Sequence, residues 1–211
     1  MILTKEQLHD ALVERHGAEI QARLDNACVG IAGLGGLGSN LAIFLARLGV
    51  GRLILVDFDV VDITNLNRQH YMMKDLGIPK TLALVEQLEA INPYLTYETY
   101  TERVIPSNVE RLFSECDVVV EAFDKPDQKA MLLENLLTKL PEKPVVSGSG
   151  MAGYGSANLI KTEKRFGHVY LCGDGTSDVA DGLGLMAPRV AVCSAHEGTM
   201  VLRLLIGETE P

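Results

Sequence analysis

The sequence predicts an α/β fold: a doubly wound, mostly parallel Rossmann-like sheet with helices on both faces and an antiparallel C-terminal extension. Three observations point there. Short, nearly continuous apolar runs alternate with amphipathic stretches at helical spacing, as expected of parallel strands buried on both faces between crossover helices. One such junction carries glycines at G-x-G-x-x-G spacing, with a strand pattern before it and a helix pattern after it. Acidic residues fall just past the carboxyl ends of two apolar runs, where open sheets of this kind bind ligands. With 211 residues and 47% hydrophobic content, the chain suits a single domain, residues 1–211.

Each element has its own warrant. Residues 4–24 place Leu8, Leu12, Val13, Ile20 and Leu24 at near-helical intervals, with Thr4 as N-cap and Gly17 as a break, so residues 1–27 hold two short helices. Cys28 to Ala32 reads as a buried strand, Leu37 to Leu48 as a helix, and Arg52 to Val56 as a second strand ending in Asp57. Residues 58–80 keep no sustained period, and a loop of that length in a compact α/β domain is usually functional. A helix over Lys80 to Ala90 stops at Asn92-Pro93. The spacing then predicts a strand over Leu95 to Tyr100, a helix over Ile105 to Phe113 and a strand over Asp117 to Ala122, with Asp124 just beyond. An amphipathic helix over Asp127 to Leu140 and a strand over Pro144 to Ser147 follow. Residues 156–161 and 166–172 read as two more strands, antiparallel to each other. An irregular segment, within 173–187, leads into a helix over Pro188 to Ile206.

Composition excludes several classes. No run of eighteen apolar residues exists, so no membrane-spanning segment is expected. The first twenty residues are charged throughout and do not form a secretory signal. Cys28, Cys116, Cys172 and Cys193 are scattered and form no C-x-x-C, which suits a reduced, cytoplasmic protein. A net charge of −9 argues against non-specific nucleic-acid binding.

The glycines Gly33, Gly35 and Gly38 have distinct duties: a tight turn, close backbone approach to a phosphate, and helix–strand packing. The helix after them presents unpaired N–H groups and the positive end of its dipole to an anion. Asp57 can accept ribose hydroxyls. The loop 58–80 leaves from the same edge and brings Asn65, Arg68, Gln69 and Lys80; the later strand brings Asp124. A nicotinamide-dependent oxidoreductase explains the glycines but has no need of two cations. A triphosphate does. Plainer readings stand beside these: Arg68 as a surface ion-pair residue, Lys80 as a solvated residue at a helix start, and Asp124 as an N-cap.

The segments GLGGLGS (33–39), LVDFDVVDITNLNRQ (55–69), GIPK (77–80) and the Asp124 region resemble the ThiF/MoeB-type adenylyltransferases, relatives of the ubiquitin-activating enzymes. A chain of this length resembles the short ThiF-like branch of thiamine biosynthesis. The resemblance implies ATP-dependent activation of the C-terminal glycine of a small ubiquitin-like, Gly-Gly-ended sulfur carrier (ThiS-like) as an acyl-adenylate. It also implies a homodimer, ATP and Mg²⁺ as ligands, and these roles. Gly33, Gly35, Gly36, Gly38, Asp57, Asn65, Arg68, Gln69 and Lys80 bind the nucleotide; Arg68, Lys80 and Asp124 act in catalysis; Asp124 holds Mg²⁺. Arg15 is a candidate to act on the partner's site, or a plain surface arginine. The two C-x-x-C pairs with which many relatives hold zinc are missing, so no structural zinc is expected. Segment 176–185 lacks the cysteine that longer relatives use after adenylation, which leaves sulfur transfer unsupported; Cys172 reads as structural. A non-catalytic nucleotide-binding scaffold remains a third reading. A relative that cyclises a tRNA base is disfavoured by the acidic composition.

Overall fold

The computed structural model describes residues 3–211. In order, the elements are α1 (Lys5–His16), α2 (Ala18–Asp25), β1 (Cys28–Ala32), α3 (Gly36–Leu48), β2 (Arg52–Val56), α4 (Lys80–Ile91), β3 (Thr96–Tyr100) and α5 (Val109–Phe113). Then come β4 (Val118–Glu121), α6 (Pro126–Lys139), β5 (Val145–Gly148), β6 (Lys161–Phe166), β7 (Val169–Gly173) and α7 (Ala187–Leu205). They build a seven-stranded sheet in the order β3-β2-β1-β4-β5-β7-β6. All neighbours are parallel except β6, which runs antiparallel to β7 at the edge.

Strand periodicity sorts the core into two layers. Val29, Ile31, Leu53, Leu55, Val118 and Val120 face the helices α3, α4 and α7, while Ala32, Ile54, Val56 and Val119 face α5 and α6. Leu41 and Leu45 of α3 are fully buried; truncating either to alanine would cost about 2–5 kcal/mol. At the N-terminus Thr4 caps α1 in a reciprocal box with Gln7, and Gly17, at φ 85°, turns the chain into α2.

Two expected elements moved. The strand placed at 156–161 begins instead at Lys161, because Ser156 accepts from Asn158 N and starts a short 3₁₀ turn over Ala157–Leu159. The edge strand β6 has no fully buried residue, so no apolar alternation marked it. The helix expected from Ile105 starts only at Val109. Asn108 holds residues 103–108 in a turn, accepting from Ile105 N and donating to the Arg103 carbonyl.

The long loop 58–80 is ordered by its own bonds. Val61 and Gly77–Ile78 exchange backbone hydrogen bonds, and Lys80 N donates to Asp59 O at 3.0 Å. Helix α3 also holds it: Ser39 Oγ accepts from His70 N, and Asn40 Nδ2 donates to Arg68 O. No helix among the described residues is long and apolar enough to cross a membrane.

Candidate functional site

The carboxyl ends of β1, β2, β4 and β5 open into a cleft of about 530 Å³. Its middle is the turn between β1 and α3. Gly33 sits at φ 94°, a left-handed conformation that favours glycine, and a Cβ there would press on the Ala122 carbonyl. A Cβ at Gly38 would overlap the Gly33 carbonyl oxygen, so Gly38 serves the packing of helix against strand and does not line the cleft. At Gly35 the space is open: the nearest atom to an added Cβ is Gln69 Nε2, 3.8 Å away. Gly35 is the N-cap of α3 with no side-chain cap. The first amides of a thirteen-residue helix are thus offered to an anion.

The turn is pinned from two directions. Leu34 N donates to Asp57 Oδ2 at 2.7 Å, and Tyr71 Oη donates to Leu34 O at 2.8 Å. Asp57 is 8% exposed, and its other oxygen accepts Asp59 N. Burial pushes the Asp57 carboxyl upward, with Lys80 opposing. Lys80, first residue of α4 and 6% exposed, sits 3.1 Å from Asp59 and 3.9 Å from Asp57. These carboxylates explain a cation at the positive end of a helix. Lys80 is therefore a held charge, not a solvated side chain. Beside Asp57, the Arg103 guanidinium stacks 4.0 Å over the Phe58 ring, closing the β2–β3 end of the cleft.

Arg68 lines the cleft opposite. Its Nη1 donates to Thr64 O and Asn67 Oδ1, leaving Nε and Nη2 without a partner among the described residues. Gln69 is buried, and its Oε1 is an orphaned acceptor at the cleft. Asn65 behaves differently from expectation. Its Oδ1 accepts Asp62 N in a capping box, and it does not line the cleft. That reciprocal box engages its carbonyl oxygen locally.

Past β4, Asp124 is exposed in the cleft wall and caps nothing: the N-cap of α6 is Lys125, without a side-chain cap. The preceding turn is fixed by Glu121, fully buried, which accepts Phe123 N and the hydroxyl of Ser147. Lys129 joins Glu121 at 2.7 Å and donates to Phe123 O. Mg²⁺ takes one or two carboxylates together with substrate phosphates, and an unpartnered carboxylate beside phosphate-binding groups fits that demand. Among the described residues no three His, Cys, Asp or Glu side chains gather as a metal cage.

The outer wall comes from two later segments: Gly148–Ala152 after β5, and Ser177–Val179 with Leu185 ahead of α7. Cys172 lies buried behind it. Burial, with the Glu197 charge adding, pushes its thiol up to about 12, which leaves it protonated and a poor nucleophile. Arg15 is exposed on α1 and is not part of the cleft.

Most expected residues thus meet: Gly33, Gly35, Gly36, Asp57, Arg68, Gln69, Lys80 and Asp124 line one cleft, whereas Asn65 and Gly38 support it from outside. Sequence reasoning gave Tyr71, Arg103, Lys129 and Arg189 no role and read Asp59, with Asp62, only as a loop or capping residue, whereas Asp59 pairs with Lys80. The Asp59 role was readable from its spacing to Asp57, and Lys129 meets Glu121 and Phe123 across the turn just before its own helix; the others depend on contacts between distant segments.

The family described as the ThiF family matches residues 8–211. The adenylyltransferase and sulfurtransferase uba4 of Emericella nidulans is 28% identical over 213 residues, covering 94% of this chain and 44% of that protein. Its counterpart in Aspergillus clavatus is 34% identical over 155 residues, covering 73% and 31%. The chain thus spans less than half the length of these curated relatives. The E. coli tRNA N6-threonylcarbamoyladenosine dehydratase TcdA, solved in complex with ATP, superposes with a TM-score of 0.85, covering 97% of both chains. At 22% identity that likeness is one of fold.

Proposed function

The chain belongs to the ThiF family, and from that premise we propose that it is an ATP-dependent adenylyltransferase. It activates the C-terminal glycine carboxylate of a small ubiquitin-like carrier protein. The observation that carries this reading is the composition of one cleft: helix-start amides, Arg68, Lys80, a ribose-accepting Asp57 and an unpartnered Asp124. Hydride transfer to or from a nicotinamide has no use for the cations and the free acid.

The carrier's carboxylate is ionised at neutral pH, so its attack needs no general base. One carboxylate oxygen bonds to the α-phosphorus, the bond to the β-phosphate oxygen breaks, and pyrophosphate leaves. The chain's contribution is placement and charge. Asp57 takes the ribose hydroxyls and fixes the glycine turn at once. The open backbone at Gly35 admits the phosphates to the α3 amides. Arg68 offers the free edge of a planar fork to phosphate oxygens, and Lys80 a charge already fixed by Asp57 and Asp59. Gln69 supplies an amide beside them. Asp124 would hold Mg²⁺, which supplies neutralisation of the charge on the leaving pyrophosphate.

The finer assignment is a Gly-Gly-ended, ThiS-like sulfur carrier in the formation of the thiamine thiazole. It rests on the resemblance to the short ThiF-like branch. A homodimer and a cytoplasmic setting belong to the same reading. The test is exchange of labelled pyrophosphate into ATP with and without a ThiS-type carrier. Carrier-dependent exchange is expected. ATP binding without exchange would instead indicate a nucleotide-binding scaffold.

A further inference from the structure

Arg189 occupies an unusual place: a cation in the first turn of α7, where the helix dipole disfavours positive charge. It is 5% exposed, and each of its guanidinium nitrogens has a partner. Nε donates to Ala152 O at 3.2 Å, Nη1 donates to Gly155 O and Ser156 O at 2.7 Å each, and Nη2 pairs with Asp174. Asp174 is saturated in turn. Its Oδ1 accepts the amides of Thr176 and Ser177, and Asp174 N and Gly175 N donate to the carbonyls of Gly150 and Ser149. One buried ion pair thus ties α7 to segments 150–156 and 174–177. Burial raises the Asp174 carboxyl, but the hydrogen bonds from Ser177 and Thr176 outweigh it and bring it down to about 2.

Sheet order says what that wall faces. Asp57 and Arg103 mark the β2–β3 end of the cleft, and the glycine turn and Arg68 mark its middle. A nucleotide with its ribose on Asp57 and its phosphates on α3 fills those two parts. The remaining end, bounded by the wall that Arg189 assembles, is left for the second substrate. None of the hydrogen bonds that hold the glycine turn, Asp57 or Lys80 involves Arg189 or Asp174.

We propose that Arg189, through Asp174, is a positioning residue for the carboxylate donor: it holds segments 150–156 and 174–177 as one wall that presents the incoming chain terminus to the nucleotide. This rests on the adenylation reading above. Arg189 touches neither reacting group. Its role is to keep the donor side shaped while leaving the nucleotide side unaffected.

The test compares Arg189→Lys, Asp174→Asn and the double variant Arg189→Met/Asp174→Asn. The double variant removes both charges, so no unpaired buried charge remains to unfold the protein. Calorimetry with ATP and Mg²⁺ reads the nucleotide side, and carrier titrations of pyrophosphate exchange read the donor side. The expected result is an ATP Kd within about twofold of the unsubstituted protein, with the carrier KM raised roughly tenfold or more. Arg189→Lys, with one donor group in place of a fork, should restore only part of the carrier KM. An unchanged carrier KM in a folded, active variant overturns the positioning role alone. So does an ATP Kd that weakens in parallel with it. An unsubstituted protein that gives no carrier-dependent exchange overturns the adenylation reading, and this role with it.

Discussion

The two walls of the cleft are made in different ways. The inner wall comes from β1 to the start of α4, and its bonds converge on one buried carboxylate: Asp57 accepts Leu34 N and Asp59 N, and Lys80 lies beside both Asp57 and Asp59. The outer wall joins chain from 148 to 190 and is held by a buried ion pair, Arg189 with Asp174, whose guanidinium gathers the backbone carbonyls of Ala152, Gly155 and Ser156. A nucleotide's phosphates make general demands, which a local motif can meet. A partner's tail makes particular demands, which fall on the wall that lies outside that motif.

If that division is right, substitutions on the inner wall, and at Asp124 past β4, should act on the nucleotide and its chemistry. The largest effect is expected at Asp124. Asp124→Ala should lower carrier-dependent pyrophosphate exchange by about 10²–10³-fold, with ATP binding in the absence of Mg²⁺ nearly unchanged by calorimetry. Next is Lys80→Met, expected to reduce exchange by roughly 10²-fold. It should also lower Tm by a few degrees, because Asp57 then keeps its buried charge without a counter-ion. A Lys80→Met protein with normal exchange would remove Lys80 from the phosphate site.

Two glycines divide the inner wall further. Gly38→Ala pushes a methyl into the Gly33 carbonyl and should destabilise by about 1–3 kcal/mol or more in denaturant melts. Gly35→Ala meets only the Gln69 amide, 3.8 Å off, so stability should stay within about 0.5 kcal/mol while ATP affinity falls. The reverse pattern would mean that phosphates do not approach at Gly35.

The smallest effect tests the floor beneath the outer wall. Glu197 is fully buried on α7, both its oxygens lack partners among the described residues, and burial pushes it up to about 8 from 4.5. A carboxyl with a raised folded-state pKa favours the native state most when protonated. Its contribution is present below the unfolded value and declines as pH rises from about 4.5 to about 8. Glu197→Gln should flatten the loss of stability across that window in thermal melts; an unchanged slope would contradict the assignment.

How much could be read from the chain depends on where each residue's partners lie. The strands β1, β2 and β4 announced themselves as apolar runs, and Asp57, Arg68, Lys80 and Asp124 fell at strand ends or in a loop of telling length. Asn65 looked equivalent to Arg68 by position, yet its carbonyl oxygen is taken up in a capping box with Asp62 N; local hydrogen bonding leaves no trace in hydrophobic pattern. Tyr71 and Arg189 were illegible because their partners are backbone carbonyls or an acid brought near only by the fold, and Lys129 because nothing in a hydrophobic pattern shows that Glu121 is buried. The edge strand β6 was misplaced since a strand without a buried face has no alternation to read.

The central claim is that this cleft transfers AMP to a carboxylate. Incubating the unsubstituted protein with ATP, Mg²⁺ and a ThiS-type carrier, and weighing the carrier by intact mass spectrometry, tests it in one step. The carrier should gain the mass of AMP, and a carrier lacking its terminal Gly-Gly should gain nothing. A carrier that stays unmodified while the protein binds ATP, or equal labelling with and without the Gly-Gly end, would contradict the account.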